Sequence, residues 1–168
     1  AAIDSYKQAI KIKPDYAEVY NNLGITQKEK GDLDAAIDSH KKAVKINADY
    51  AEAYNNLGIT QKEKGDLDAA IDSHKKAVKI KPDYAEAYNN MGIALTENGS
   101  SDAAIQSYNK AIRIQPDYAV AYFNMGLTFK ENYNLEHALE NFQRSVKIQP
   151  IASKPYYQIA SIYYEFGD

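Results

Sequence analysis

A unit of 34 residues recurs along this chain, and a period of that length constrains the fold more tightly than any compositional property. Segment 17–50 reads AEVYNNLGITQKEKGDLDAAIDSHKKAVKINADY, and segment 51–84 repeats it with changes only at Val19/Ala53, Asn47/Lys81 and Ala48/Pro82. Two diverged copies follow in the same register, 85–118 and 119–152. Half units complete the chain: residues 1–16 match the second half of a unit, and residues 153–168 match the first half. Two near-identical units beside divergent ones point to a recent natural duplication. The start at Ala1, inside a unit and without Met, leads us to expect a piece of a longer sequence.

Each unit reads as two helices. In residues 51–84, Tyr54, Leu57, Gly58 and Gln61 recur at helical spacing over about Ala51 to Glu63. Gly65 is expected to cap that helix, and Asp66 to open the next. The second helix is predicted from Leu67 to Ile80, with Ala70, Ile71, His74, Ala77 and Val78 on one face. Lys81-Pro82-Asp83 ends it, because proline disfavours helix in the residue before it and donates no backbone hydrogen bond. Pro155 fits the first turn of the last helix, where a missing N–H costs nothing. A mid-helix glycine costs about 1 kcal/mol relative to alanine. Gly24, Gly58, Gly92 and Gly126 are therefore expected to permit close approach to the small Ala36, Ala70, Ala104 and Ala138 of the second helix.

Counting from Ala17, Ala51, Ala85, Ala119 and Ser153 as position 1, this pattern resembles the tetratricopeptide repeat over the whole chain. That family carries a large aromatic at position 4, Leu-Gly at 7–8, Ala at 20, an aromatic at 24, Ala at 27 and Pro at 32. Here position 4 is Tyr20, Tyr54, Tyr88, Tyr122 and Tyr156. Positions 7–8 are Leu23-Gly24, Leu57-Gly58, Met91-Gly92, Met125-Gly126 and Ile159-Ala160. Position 32 is Pro14, Pro82, Pro116 and Pro150, with Ala48 the exception. Tyr133 stands where the other turns have Gly31, Gly65, Gly99 and Gly167, so a different turn is expected there. The resemblance implies an all-α, right-handed superhelix, a solenoid of about ten antiparallel helices with first helices on its concave face.

Composition narrows the function. The chain carries 20 Lys+Arg against 23 Asp+Glu, with no long run of one sign, which gives no reason to expect nucleic acid or an anionic membrane as partner. Cysteine is absent, removing thiol nucleophiles and Cys-based zinc sites. No apolar stretch approaches the roughly 20 residues of a membrane span. No nucleophile elbow, phosphate loop or HExxH pair is present, so we expect no enzyme, no metal and no cofactor. His40 and His74 replace the aromatics Tyr6, Tyr108 and Phe142, which reads as helix packing, and His137 reads as solvated. Of the 15 tyrosines, nine occupy positions 4 and 34, which also reads as packing.

The candidate binding residues form a column of amides. Position 6 is Asn22, Asn56, Asn90 and Asn124, followed by Gln158, while position 5 adds Asn21, Asn55 and Asn89 before changing to Phe123 and Tyr157. Asparagine is a mediocre helix former, so propensity does not explain the column. A primary amide both donates and accepts, and can satisfy a peptide's C=O and N–H together. Ile25, Ile59, Ile93 and Leu127 at position 9 add an aliphatic stripe. Glu29, Glu63, Glu97, Glu131 and Glu165 at position 13, with Glu18, Glu52 and Glu86 at position 2, make the groove slightly acidic. The column is similar to the asparagine ladder of the repeat superhelix in O-GlcNAc transferase. The carboxylate clamp of some family members does not match, since position 5 is Asn or aromatic, position 9 mostly aliphatic, and position 6 never Arg.

These features lead us to expect a non-catalytic module that binds an extended peptide or protein segment on its concave face. Two alternatives stand beside it. One is a scaffold assembling end to end, through Ile3, Tyr6 and Ile10 at one end and Tyr156, Ile159 and Tyr163 at the other. The other is a substrate-recruiting array of a larger enzyme, such as a glycosyltransferase.

Overall fold

The computed structural model describes residues 2–166, with side chains through Tyr164. Gly167 and the Glu165 side chain, both named above, lie outside the described residues. The ten helices found among them are α1 (Ala2–Ile12), α2 (Ala17–Glu29), α3 (Leu33–Ile46), α4 (Ala51–Lys64), α5 (Leu67–Ile80), α6 (Ala85–Glu97), α7 (Ser101–Ile114), α8 (Ala119–Glu131), α9 (Leu135–Ile148) and α10 (Ser153–Phe166), with no strand. None is long and apolar enough to cross a membrane. The chain divides into two compact units, Ala1–Asp83 and Tyr84–Asp168.

In the first unit α2 packs on α3 and α4 on α5, with α3 against α4 as the link between pairs. In the second, α6 packs on α7 and α8 on α9, while α7 meets α8 and α9 meets α10. The cores are small clusters between successive helices, as expected where each element touches only near neighbours. Ala104, Tyr108 and Met125 form one, and Ala138, Phe142 and Ile162 another.

The mid-helix glycines do serve close approach, but not to the alanines. A Cβ on Gly58 would stand 2.7 Å from the His74 ring, and one on Gly92 would stand 2.5 Å from the Tyr108 ring. Gly24 faces His40 and Gly126 faces Phe142 in the same way. The partner is thus the flat side chain at position 24, which lies across the first helix where its Cβ is missing. Ala36, Ala70, Ala104 and Ala138 are fully buried, without being the nearest neighbours of the glycines.

The turn at Tyr133 also departs from expectation: it is the same turn. Gly65 ends α4 in the left-handed region, φ 91°, with its N–H donated to Lys62 O and the next N–H, of Asp66, donated to Gln61 O. Tyr133 adopts φ 57° and donates to Lys130 O, while Asn134 N–H reaches Phe129 O at 2.9 Å. The backbone bonds fix the geometry, and a tyrosine that is 91% exposed accepts it without a glycine's freedom. Capping at the following helix varies: Asp32 accepts from Ala35 N and Asn134 from His137 N, whereas Asp66 makes no side-chain cap bond.

Candidate peptide-binding face

The asparagines at positions 5 and 6 are adjacent in sequence and so point about 100° apart around the helix. The structure separates them accordingly. Asn21, Asn55 and Asn89 are buried, at 4%, 1% and 3% exposure. Asn56, Asn90 and Asn124 are half-buried and Asn22 is exposed. The expectation that position 5 lines an open groove is therefore corrected: those amides lie below the surface and support the ones above them.

The support is a side-chain bond between successive first helices. In the first unit Asn56 Nδ2 donates to Asn21 Oδ1 at 3.1 Å. In the second, Asn124 Nδ2 donates to Asn89 Oδ1 at 3.0 Å. Asn21 Oδ1 is also 3.1 Å from His40 Nδ1, so the amide carbonyl is held from two sides. Asn89 Nδ2 lies 3.5 Å from Asn90 Oδ1. These bonds use one N–H of each donor and fix its rotamer. Asn56 and Asn124 keep their carbonyl oxygens and second N–H groups without a partner among the described residues. One turn further on, Thr26, Thr60 and Thr128 donate to the backbone carbonyls of Asn22, Asn56 and Asn124.

The aliphatic stripe is half-buried throughout. Ile25 and Ile59 have apolar surface left to solvent, while Ile93 and Leu127 also pack against the clusters around Tyr108 and Phe142. Two of the carboxylates near it are paired: Lys28 with Glu63 at 3.6 Å and Lys81 with Glu52 at 3.3 Å. Both pairs are solvent-accessible and contribute at most about 1 kcal/mol. Thr96 Oγ1 bonds Thr128 Oγ1 at 2.8 Å and Tyr108 Oη at 3.3 Å, tying α6, α7 and α8 together.

Both packing histidines are fully buried. Burial, with the ammonium of Lys28 beside one and of Lys62 beside the other, pulls their pKa down to about 4. Among the described residues His40 Nε2 and both ring nitrogens of His74 have no hydrogen-bond partner, so a proton there would gain no acceptor. His137 is exposed, as its isolation suggested, with Nδ1 2.8 Å from Asn134 Oδ1 and its ring stacked on Phe129. Among the described residues no group of His, Cys, Asp or Glu is placed to hold a metal ion.

Position 34 carries information that its reading as packing understated. Tyr50 sits beside Glu18 and Glu52 and is hydrogen-bonded by Asn21; burial first, then the two carboxylates, push its phenol up. Tyr118 packs against Ala85, Ala111 and Ala121. Tyr16, by contrast, is 41% exposed, and Lys13 lies over its ring. In the last full unit the residue is Ala152, and a cavity of about 490 Å³ opens beside it. The missing tyrosine was the sequence signal for that cavity.

Comparison with known proteins agrees with this architecture. A family model described as TPR repeat matches residues 1–31, 26–65, 62–99 and 94–132, and one described as tetratricopeptide repeat matches 119–151. Among solved structures, a crystal structure of MamA is 32% identical, with a TM-score of 0.81 over 88% of this chain and 86% of that one. PilF of Pseudomonas aeruginosa, 22% identical, gives 0.81 over 89% of this chain and 68% of its own. A thermophilic TPR protein of Thermus thermophilus, TTC0263, is 21% identical and gives 0.79 over 96% and 89%. Both of the latter share the fold. No curated protein sequence matches. The fold class is the all-α repeat solenoid, whose members generally mediate protein–protein interactions and are typically non-catalytic. With the repeat models spanning nearly all of its length, this chain belongs to the tetratricopeptide-repeat family.

Proposed function

We propose that this chain is a non-catalytic interaction module that captures an extended peptide or protein segment along the face of its first helices. The observation that carries the reading is the amide pair found in each unit. A buried asparagine fixes a second one whose carbonyl and remaining N–H stay open, in Asn56 over Asn21 and Asn124 over Asn89. Amides locked in one rotamer lose little side-chain entropy when they bind a peptide main chain, which favours capture that is tolerant of side-chain identity. Asn22 in the first unit and Asn90 in the second stand at the same repeat position as these donors, and Ile25 and Ile59 in the one and Ile93 and Leu127 in the other supply apolar contact beside them. The likeness to the ladder of O-GlcNAc transferase supports this use of the amides. The test is binding of a diverse array of unstructured peptides to the wild-type chain and to an Asn56→Ala/Asn124→Ala variant checked for folding. Broad binding that collapses in the variant supports the ladder, and binding that survives it moves the site elsewhere.

A second reading, self-association through the end helices, is favoured by the exposure of those helices. No described residue of α1 is buried, although Ile3, Tyr6, Ala9 and Ile10 are the counterparts of Ile37, His40, Ala43 and Val44, the first three of which are buried. On α10, Tyr156 and Tyr163 are 48% and 43% exposed, while Ile159 is half-buried against the Phe142 cluster. Sedimentation velocity over a concentration series tests it. Head-to-tail growth gives a sedimentation coefficient that rises continuously with concentration, and a constant monomer value rejects it.

A further inference from the structure

The cavity beside Ala152 has the shape of something the rest of the chain supplies for itself. Tyr118, at position 34 of its repeat, packs against the cluster formed by Ala85 at position 1, Ala111 at position 27 and Ala121 at position 3 of the repeat that follows. The cavity is lined by the residues in those same three places, Ala119, Ser145 and Pro155. It is thus the space an aromatic ring occupies elsewhere, left empty because position 34 is Ala152. Its remaining walls have changed with it. Where Tyr50 has Glu18 beside it and Asn21 at its hydroxyl, the cavity has Val120 and Phe123. Where Tyr50 has Glu52, the cavity has Lys154, which has no hydrogen-bond or ion-pair partner among the described residues.

We infer that this cavity is an anchor site for a phenylalanine side chain of the bound segment, with an acidic residue next to that phenylalanine facing Lys154. The inference rests on the peptide-capture reading above, because Asn124 of the amide column lines the same cavity. Phenylalanine matches the changed wall: where Asn21 bonds the Tyr50 hydroxyl in the first unit the cavity has the Phe123 ring, so a hydroxyl at that place has no counterpart of the Asn21 bond. The replacement of a carboxylate by an apolar wall and an ammonium sets the charge preference, since an acid beside the ring is attracted at this site and repelled at the equivalent place around Tyr50. The column then provides affinity without register, and the cavity fixes the register.

The probe is a fluorescent glycine–serine peptide with one Phe followed by Asp, compared with peptides carrying Ala for Phe, Tyr for Phe, or Lys for Asp. The Phe-Asp peptide is expected to bind the wild-type chain about tenfold more tightly than the Ala peptide, the scale of burying one ring. Ala152→Phe fills the cavity from within. It should raise the thermal midpoint and bind the Phe and Ala peptides equally. Lys154→Glu should reverse the preference between Asp and Lys. Equal binding of the Phe and Ala peptides by the wild-type chain overturns the anchor, as does an Ala152→Phe variant that still prefers Phe. The Asn56→Ala variant separates the two claims, because it should weaken both peptides alike. If it weakens neither while the Phe preference persists, the column fails and the anchor stands. If no peptide binds the wild-type chain, both fall.

Discussion

Acidification should unfold the first unit, and two buried rings set the size of the effect. His40 and His74 have pKa values near 4 in the folded chain against an ordinary 6.5, because they are sealed from water with Lys28 and Lys62 nearby. The unfolded chain therefore binds more protons, and stability falls as pH falls. The loss begins near the unfolded value of 6.5 and is complete below about 4. Between about pH 8 and about pH 5 linkage gives roughly 2 kcal/mol for each ring, or roughly 4 for the pair. That is a large fraction of the stability of a small domain. The control is written in the fourth unit, where Phe142 lies across Gly126 as His74 lies across Gly58. Lys130 there occupies the place of Lys28 and Lys62. A His40→Phe/His74→Phe variant should fold into the same packing, and Asn21 Oδ1 would keep the bond from Asn56. Urea unfolding followed by far-UV circular dichroism, repeated across this pH range, measures the difference. The wild-type midpoint should fall steeply below about pH 6.5 while the variant retains most of its midpoint. Parallel curves for the two proteins would refute the claim that the rings carry the acid sensitivity.

Other substitutions test the packing account. Tyr133→Gly should stabilise the chain by about 0.5–1 kcal/mol, since an exposed side chain in the left-handed region gains nothing in return for its strain; a lower thermal midpoint would contradict this. Gly92→Ala should cost about 1–3 kcal/mol despite the better helix propensity of alanine, because the new Cβ would lie 2.5 Å from the Tyr108 ring. Asn124→Ala should destabilise more than Asn56→Ala. It deprives the buried Asn89 Oδ1 of the Asn124 donor, at about 1–3 kcal/mol, whereas Asn21 Oδ1 keeps His40. Equal losses in denaturant titrations would argue against the two-sided bond at Asn21.

Most of the fold was legible because each helix boundary is written in local chemistry. The second helix of the 51–84 unit starts and ends where expected, at Leu67 and Ile80, and Gly65 caps as its position implies. What was not legible depended on which neighbour a residue meets. Gly58 was expected against Ala70 because both are small, but a missing Cβ accommodates a flat ring better than another methyl, and His74 lies there. Tyr133 was expected to change its turn, but the conformation follows from the bonds to Lys130 and Phe129 rather than from the residue alone. At the binding face, two adjacent asparagines look alike in a string. Only the helical rotation between them assigns Asn55 to the interior and Asn56 to the outer face. A hint was present, since position 5 later becomes Phe123, which is partly buried against the Phe142 cluster, although Tyr157 at the same position of α10 is 74% exposed.

The claim that the exposed amides hold a peptide by its main chain is tested most directly by altering that main chain alone. The strongest binder from the unstructured-peptide array would be compared with a twin N-methylated at alternate residues, which removes N–H donors while leaving every side chain in place. If Asn56 and Asn124 accept from the main chain, the twin should bind about tenfold or more weakly, the loss expected for one or two hydrogen bonds with no replacement. Undiminished binding of the twin would show that the peptide is held through its side chains, and the amide column would lose its assigned role.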